Sequence, residues 1–200
     1  MTISAPVIAA VVVGAALLLV ATVMALRPRR AASGLGWMIT ATFAYCILGL
    51  AAALQARESD GLRGAAVQLI ALALAAVLAL QCQSRESGEP GTPQGLASAA
   101  RAVAWLTLLG LPPTIGFHAK VMVYRSLLNV GWGGVAALAM AAAVAGVLPA
   151  VWALGSSPPL PLKGSRAVIS VALIALIAAL GLYPHLAVSL ASAAERLAAP

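Results

Sequence analysis

Charged residues are scarce in this sequence: Asp, Glu, Lys and Arg make up 8% of its 200 residues, whereas hydrophobic residues make up 62%. Soluble globular domains carry about 25% charged residues, so the composition excludes that class. The mean hydropathy of +1.03 indicates an integral membrane protein in a lipid bilayer. The net charge of +7 comes from basic residues scattered over short loops. They form no clustered basic patch, so no nucleic-acid partner is expected.

Sequence motifs that bind redox cofactors or metals are also missing. The chain has no GxGxxG or P-loop pattern, and no pair of histidines is placed for haem. Its two cysteines, Cys46 and Cys82, lie in separate apolar runs without the spacing of metal ligands. We therefore expect no cofactor and no metal in this chain, and we expect both cysteines to be small packing residues.

Six apolar windows of about 20 residues, the length that crosses a hydrocarbon core, recur along the chain. They lie near residues 5–26, 34–55, 64–83, 99–130, 133–154 and 167–190. Because lipid offers no water to satisfy backbone polar groups, these windows should be helices. The sequence predicts an all-α membrane protein in which residues 1–200 form a single transmembrane domain, a bundle of about six helices.

The basic residues of the short loops predict the orientation of these spans. One side of the membrane receives Arg27, Arg29, Arg30, Arg85, Arg101, Lys163 and Arg166, and the other receives Arg57, Arg63 and Arg196. Cytoplasmic loops are enriched in Lys and Arg, so the first set is expected in the cytoplasm and both termini outside. The first apolar run has basic residues only after its end, the reverse of a secretory signal, so it is expected to be retained as a span.

The fourth span is unusually long and contains two consecutive prolines. It exceeds a straight crossing by roughly ten residues, and the sequence "GLPPT" lies near its centre. Proline lacks an amide donor and clashes with the preceding turn, so Pro112 and Pro113 should interrupt the helix and free backbone carbonyls at membrane depth. We predict one discontinuous helix. The alternative is a hairpin of two short segments, which would place the termini on opposite sides of the membrane.

Lys120 is the charged residue that the span boundaries place deep in the membrane. It follows Thr114 by six positions, roughly 9 Å along a helix. An ammonium group facing lipid costs about 3 kcal/mol or more, so Lys120 should face protein or water, where it could exchange a proton. The alternative is that Lys120 extends to the outer headgroups. Arg125, five positions further on, is the better candidate for that role.

Other polar residues near Lys120 have weaker signals. His118 is a candidate proton relay near neutral pH, although a lone histidine in an apolar helix is more often simply hydrogen-bonded. Thr40, Thr42 and Tyr45 make the second span mildly polar, and we expect them to hydrogen-bond between helices. The acidic residues, Glu58, Asp60, Glu86, Glu89 and Glu195, all lie in loops or in the tail. Any carboxylate partner of Lys120 is therefore expected on another chain.

The segment around the prolines, "LLGLPPTIGFHAKVMVY", resembles the signature of the antiporter-like membrane subunits of NADH-quinone oxidoreductase (complex I). The match is closest to subunit N, called subunit 2 in mitochondria, and related sodium/proton antiporter and membrane hydrogenase subunits share a similar signature. The segment "LGLYPHLAVSLASAA" is similar to the last helix and outward tail of subunit N. The segment "SGLGWMITATFAYCILGL" weakly resembles a further part of the family.

The resemblance implies that the six spans are the C-terminal helices of a longer fold. It places the helix break at Gly110, Pro112, Pro113, Thr114 and Gly116. It also makes Lys120 the lysine that passes protons toward the outer side. The family's N-terminal repeat, with its glutamate–lysine pair and the central lysine near the repeat boundary, is missing here. The fifth span also ends in "VWALG" instead of a tyrosine-rich, arginine-bearing end.

These features lead to three functional hypotheses. The first is a membrane subunit of an NADH-quinone oxidoreductase-like complex that contributes a proton half-channel, since half of a two-repeat transporter supplies one half-channel. A separate chain would then supply the missing N-terminal half, and NADH, FMN, iron–sulfur clusters and quinone would be held by partner subunits. The second is a non-pumping structural or assembly subunit, and the third is a cation/proton antiporter subunit. The Ala-, Arg- and Gly-rich composition favours a bacterial inner membrane.

Overall fold

The structure is a computed structural model, and it describes residues 3–27, 31–56, 59–82, 94–156, 164–186, 188, 189 and 192. Within these residues the secondary structure consists of helices and turns, without strands. The α-helices are α1 (Ala5–Leu26), α2 (Ala31–Ala56), α3 (Ser59–Cys82), α4 (Gln94–Leu109), α5 (Ile115–Asn129), α6 (Gly133–Ala145), α7 (Val147–Ser156) and α8 (Ser165–Leu182).

Four of these helices, and a fifth segment made of two helices, are long and apolar enough to cross a membrane. In the described part of the chain, five segments meet this criterion: Ala5–Leu26, Gly34–Ala56, Ser59–Gln81, Gly133–Trp152 and Ser165–Leu182. The fourth of them joins α6 to α7 through Gly146. The remaining apolar helix, α4, is shorter and is followed by α5. The predicted all-α membrane fold is confirmed.

The fourth predicted span is divided into α4 and α5 at the two prolines, so the predicted discontinuity is confirmed. Contacts with α2 show how the two halves are arranged. Trp105 of α4 lies beside Gly34, near the beginning of α2, and Val123 of α5 lies beside Gly49, near its end. The half-helices α4 and α5 therefore follow each other along α2 and run in the same direction. A hairpin would return α5 to the beginning of α2, so the two half-helices form a single crossing.

The helix α3 lies in the centre of the bundle, where it contacts α2, α4, α5 and α8. The outer helices α1, α6, α7 and α8 expose large apolar side chains, such as Val12, Val144 and Val168, that suit contact with lipid. The helices α2 and α3 approach closely where Gly61 faces the backbone of Gly49. Such small residues allow the backbones of membrane helices to meet, which brings α5 into the centre of the bundle.

Several helix ends differ from the predicted span boundaries. The helices α2, α3 and α4 begin a few residues earlier than the apolar windows, because their polar first turns are helical as well. The helix α8 is interrupted after Leu182 at Tyr183, and residues 184–186 are helical again. Pro184 accounts for this interruption, since proline disfavours the helical conformation of the residue before it.

Parts of the predicted loops lie outside the described residues, namely 28–30, 57–58, 83–93 and 157–163. Predictions about Arg29, Arg30, Arg57, Glu58, Arg85, Glu86, Glu89, Lys163, Glu195, Arg196 and the side chain of Cys82 therefore fall outside the described part of the chain. Cys46 is described, and it is buried in α2 with a free thiol.

Candidate functional site

The helix α4 ends in a Schellman motif built around Gly110. The backbone amide of Leu111 donates to the carbonyl of Leu106 at 2.9 Å, and the amide of Gly110 donates to the carbonyl of Thr107 at 3.1 Å. Gly110 has φ of +68°, a left-handed conformation that glycine adopts without a steric penalty. The motif closes the first half-helix before the prolines.

A short turn then leads from α4 into α5. The backbone amide of Thr114 donates to the carbonyl of Leu111 at 3.0 Å, and the Thr114 hydroxyl donates to the same oxygen at 2.7 Å. The peptide bond between Pro112 and Pro113 is cis. Because neither proline has an amide hydrogen, Thr114 supplies the hydrogen bonds that close the turn. Of the residues named as the helix break in the sequence, Gly110, Pro112, Pro113 and Thr114 lie between the half-helices, and Gly116 lies in the first turn of α5.

Lys120 lies inside the bundle and reaches back to the end of the first half-helix. Its side chain is 4% exposed, and Nζ donates a hydrogen bond of 2.7 Å to the carbonyl of Leu109. Nζ also lies 4.4 Å from the centre of the Tyr45 ring. The C-terminal end of a helix carries partial negative charge, and an aromatic face attracts a cation. Both contacts favour the ammonium form of Lys120.

Tyr45 connects Lys120 to two further helices. Its hydroxyl donates to the carbonyl of Ala139 on α6, and its ring meets the Tyr124 ring edge-on at 6.1 Å between centres. Tyr45 therefore forms the expected inter-helix hydrogen bond. The expectation was wrong for Thr40 and Thr42, whose hydroxyls donate to carbonyls of their own helix, four residues earlier.

The variant Tyr45→Phe is expected to keep the aromatic face over Lys120 and to lose the hydrogen bond to α6. Leaving the buried Ala139 carbonyl without this donor should lower the free energy of unfolding by about 1–3 kcal/mol. Thermal unfolding of the purified protein in detergent measures this change. Phe43→Leu, on an exposed face of the same helix, is the control and should be close to the parent protein.

A cleft of about 250 Å³ extends from Lys120 between the helix break, α5 and α6. Tyr124, one helical turn after Lys120, lines the same cleft. Met140 and Val144, which are 41% and 72% exposed, form its outer rim. The Lys120 side chain therefore lies between the end of α4 and a cleft that opens at the lipid-facing side.

His118 faces away from Lys120 and contacts the last helix. Its Nε2 lies 2.7 Å from the carbonyl oxygen of Gly181, and its ring meets that of Phe117 edge-on. The structure therefore does not bring His118 and Lys120 together. The relay role of His118 stays a prediction, and its present contact is a hydrogen bond between α5 and α8.

Among the described residues, the acidic side chain nearest to the fourth span is Asp60, which faces Arg125. Their side-chain atoms lie 3.8 Å apart, and Arg125 is largely exposed. No described carboxylate contacts Lys120. In the same part of the chain, no three His, Cys, Asp or Glu residues are grouped closely enough to hold a metal ion.

Sequence reasoning missed three features of the bundle interior. The role of the Leu109 carbonyl could not be read from residue type, because any residue supplies a carbonyl. Tyr124 was detectable, since it follows Lys120 by one helical turn. Gln68 of α3 is completely buried, and its side-chain amide has no hydrogen-bond partner. Gln68 could have been found from the sequence, because it is a polar residue within an otherwise apolar window.

Chains of two solved structures share this all-helical fold. A chain of the Mrp complex from Dietzia sp. DQ12-45-1b matches with a TM-score of 0.76 and 19% identity, covering 92% of this chain and 46% of that one. A chain of respiratory complex I from Thermus thermophilus with bound Aureothin matches with a TM-score of 0.69 and 24% identity, covering 90% and 44%.

Sequence comparison points to one subunit in particular, NADH-quinone oxidoreductase subunit N. The protein of that name from Salinispora tropica is 37% identical over 148 aligned residues, which cover 64% of this chain and 28% of that protein. The subunit N of Gluconacetobacter diazotrophicus is 30% identical over 115 aligned residues, covering 51% and 23%. No protein-family model matches the chain. The resemblance to subunit N is confirmed, and the chain spans less than half the length of each of these proteins.

Proposed function

We propose that this chain is a membrane subunit of an NADH-quinone oxidoreductase-like complex and that it contributes a proton half-channel through Lys120. The observation that carries the proposal is the hydrogen bond from the buried Lys120 Nζ to the Leu109 carbonyl at the helix break. The similarity in sequence to part of subunit N supports the assignment to this type of complex.

The surroundings of Lys120 are suited to proton exchange. The Leu109 carbonyl and the Tyr45 ring stabilise the ammonium form, while burial among apolar side chains favours the neutral amine. Because these effects oppose each other, a small change in the position of the carbonyl changes which form is favoured. The cleft beside the break, which Lys120 and Tyr124 line, is where a partner subunit would reach Lys120 and supply the polar groups that carry protons.

The proposal includes partners that complete the site. Other membrane subunits of a respiratory complex surround the chain, and one of them supplies the missing N-terminal half. A carboxylate for Lys120 comes from such a partner, since the described part of this chain places none beside it. NADH, FMN, iron–sulfur clusters and quinone belong to partner subunits. The chain lies in a bacterial inner membrane with both termini outside.

A cation/proton antiporter subunit is the second candidate. It is favoured by the fold match to the Mrp complex chain, whose TM-score of 0.76 exceeds that of the complex I chain. A non-pumping structural subunit is the third candidate, favoured by the lack of a described carboxylate near Lys120.

Purification of the tagged chain from its native membrane tests the assignment. Co-purification with redox subunits and NADH-driven quinone reduction is the expected result. Partners without redox activity that exchange sodium for protons would establish the antiporter instead. Recovery of the chain without large partners, under conditions that preserve respiratory complexes, contradicts the proposed function. The residue-level test is Lys120→Met in the assembled complex.

A further inference from the structure

The last helix contacts the break of the fourth span at Gly181. A Cβ atom added to Gly181 would overlap the carbonyl oxygen of Pro113 and would lie 2.6 Å from the Pro113 carbonyl carbon and 2.8 Å from that of Thr114. Non-bonded carbon atoms normally stay about 3.5–4.0 Å apart. Only glycine therefore allows α8 to approach the Pro113–Thr114 peptide this closely.

A hydrogen bond from α5 reinforces this contact. A carbonyl oxygen can only accept, so the Nε2–H of His118 donates to the Gly181 carbonyl, at 2.7 Å. His118 lies in the first turn of α5, directly after the break. Gly181 thus touches the break through its α-carbon and holds the beginning of α5 through its oxygen.

The Lys120 side chain contacts the beginning of the same turn. A Cβ atom added to Gly110 would lie 2.7 Å from Lys120 Cδ, and Lys120 Nζ binds the carbonyl of Leu109, the residue before Gly110. The turn between α4 and α5 therefore contacts α8 at Pro113 and Thr114 and contacts Lys120 at Leu109 and Gly110. A displacement of the turn by α8 is expected to change the distance between the Leu109 oxygen and Nζ.

We infer that Gly181 is a positioning residue for Lys120: its missing side chain lets α8 hold the helix break where the Leu109 carbonyl meets the Lys120 ammonium group. The consequence for proton transfer rests on the proposed function, whereas the positioning itself does not. His118 assists Gly181 by donating to its carbonyl, which gives this histidine a role that requires no proton transfer.

Lysine-selective NMR tests the inference, because the chain contains only two lysines, Lys120 and Lys163. In a Lys163→Arg background, the full chain labelled with ¹³Cε-lysine and placed in nanodiscs gives one side-chain signal. The cavities that Lys120 lines contain two other titratable side chains, Tyr45 and Tyr124, and neither carries the label. The signal and its pH titration therefore report on Lys120 alone.

Gly181→Ala is expected to change the ¹³Cε chemical shift and to move the titration midpoint by on the order of one pH unit. Gly36→Ala is the matched control, because a Cβ atom at Gly36 meets nothing within 4 Å. It should leave the ¹³Cε chemical shift and the titration midpoint unchanged. His118→Leu removes the donor to Gly181 and should also alter the signal. His118→Gln keeps a donor and should stay closer to the parent protein.

An unchanged signal and midpoint in folded Gly181→Ala and His118→Leu would overturn the inference. If Gly181→Ala does not fold, the Lys120 signals of His118→Leu and His118→Gln are compared instead. Equal signals in these two variants would reject the positioning role of Gly181. The proposed function is tested by a separate experiment. It fails if the assembled complex with Lys120→Met transports protons normally. That result would leave the effect of Gly181 on the Lys120 signal intact.

Discussion

Proton transfer through this chain is expected to fall at least about tenfold when Lys120 is replaced by methionine, since a positioned acid–base group contributes on the order of 100-fold or more to proton transfer, and the assembled complex should then move fewer protons per electron. Methionine retains an unbranched, flexible side chain of similar length, so the apolar contacts in the bundle are largely preserved. It can neither carry a proton nor donate to the Leu109 carbonyl. The measurement is the number of protons moved per electron in liposomes containing the purified complex, or per exchanged cation if the partners are those of an antiporter.

Arg125→Met is the matched control for this experiment. Arg125 lies on the same helix and is a cation, but it is exposed and faces Asp60 at 3.8 Å. Its replacement should leave the transport ratio close to that of the parent complex. Normal transport by Lys120→Met, in a complex with the full set of subunits, would contradict the role of Lys120 and would leave the structural hypothesis standing.

Gly116→Ala is expected to have the largest effect on folding. A Cβ atom at Gly116 would overlap the carbonyl oxygen of Thr107 on α4. That oxygen belongs to the backbone, so no change of side-chain rotamer relieves the overlap, and the two half-helices must separate. Overpacking of this kind costs about 3 kcal/mol. Thermal unfolding in detergent and the yield of protein inserted in membranes should both be clearly reduced.

Gly95→Ala in α4 distinguishes this effect from a general response to glycine replacement. A Cβ atom at Gly95 meets nothing within 4 Å, and alanine favours the helix over glycine by about 1 kcal/mol. The control should therefore be as stable as the parent protein or slightly more so. Equal stability of Gly116→Ala and Gly95→Ala would show that the half-helices do not pack as described.

Much of the fold could be predicted from the sequence, because the membrane restricts the possible structures. Apolar windows of sufficient length must be helices, and two consecutive prolines must interrupt one. The excess length of the fourth span therefore identified a break before any contact was known. The interruption of α8 at Tyr183 was not predicted, because a hydrophobic window continues past Pro184, whereas proline disfavours a helical conformation at the residue before it.

The surroundings of Lys120 were less predictable. The sequence places Tyr45 in another helix, 75 positions earlier, and nothing in its pattern shows which helix faces the lysine. The pairing of His118 with Gly181 was equally hidden, since both residues have ordinary explanations within their own helices. The expectation that Thr40 and Thr42 connect helices was wrong because a threonine in a helix can bond to its own preceding turn.

The sequence by itself determined that the chain lies in a membrane, that one span is broken at Pro112 and Pro113, and that a lysine follows the break. These features depend on hydrophobicity, on span length and on the chemistry of proline, all of which are local. Only the tertiary structure decided that Lys120 turns back to the Leu109 carbonyl and that α8 holds the break through Gly181. Both contacts join backbone atoms to distant residues, and a backbone atom has no signature in the sequence.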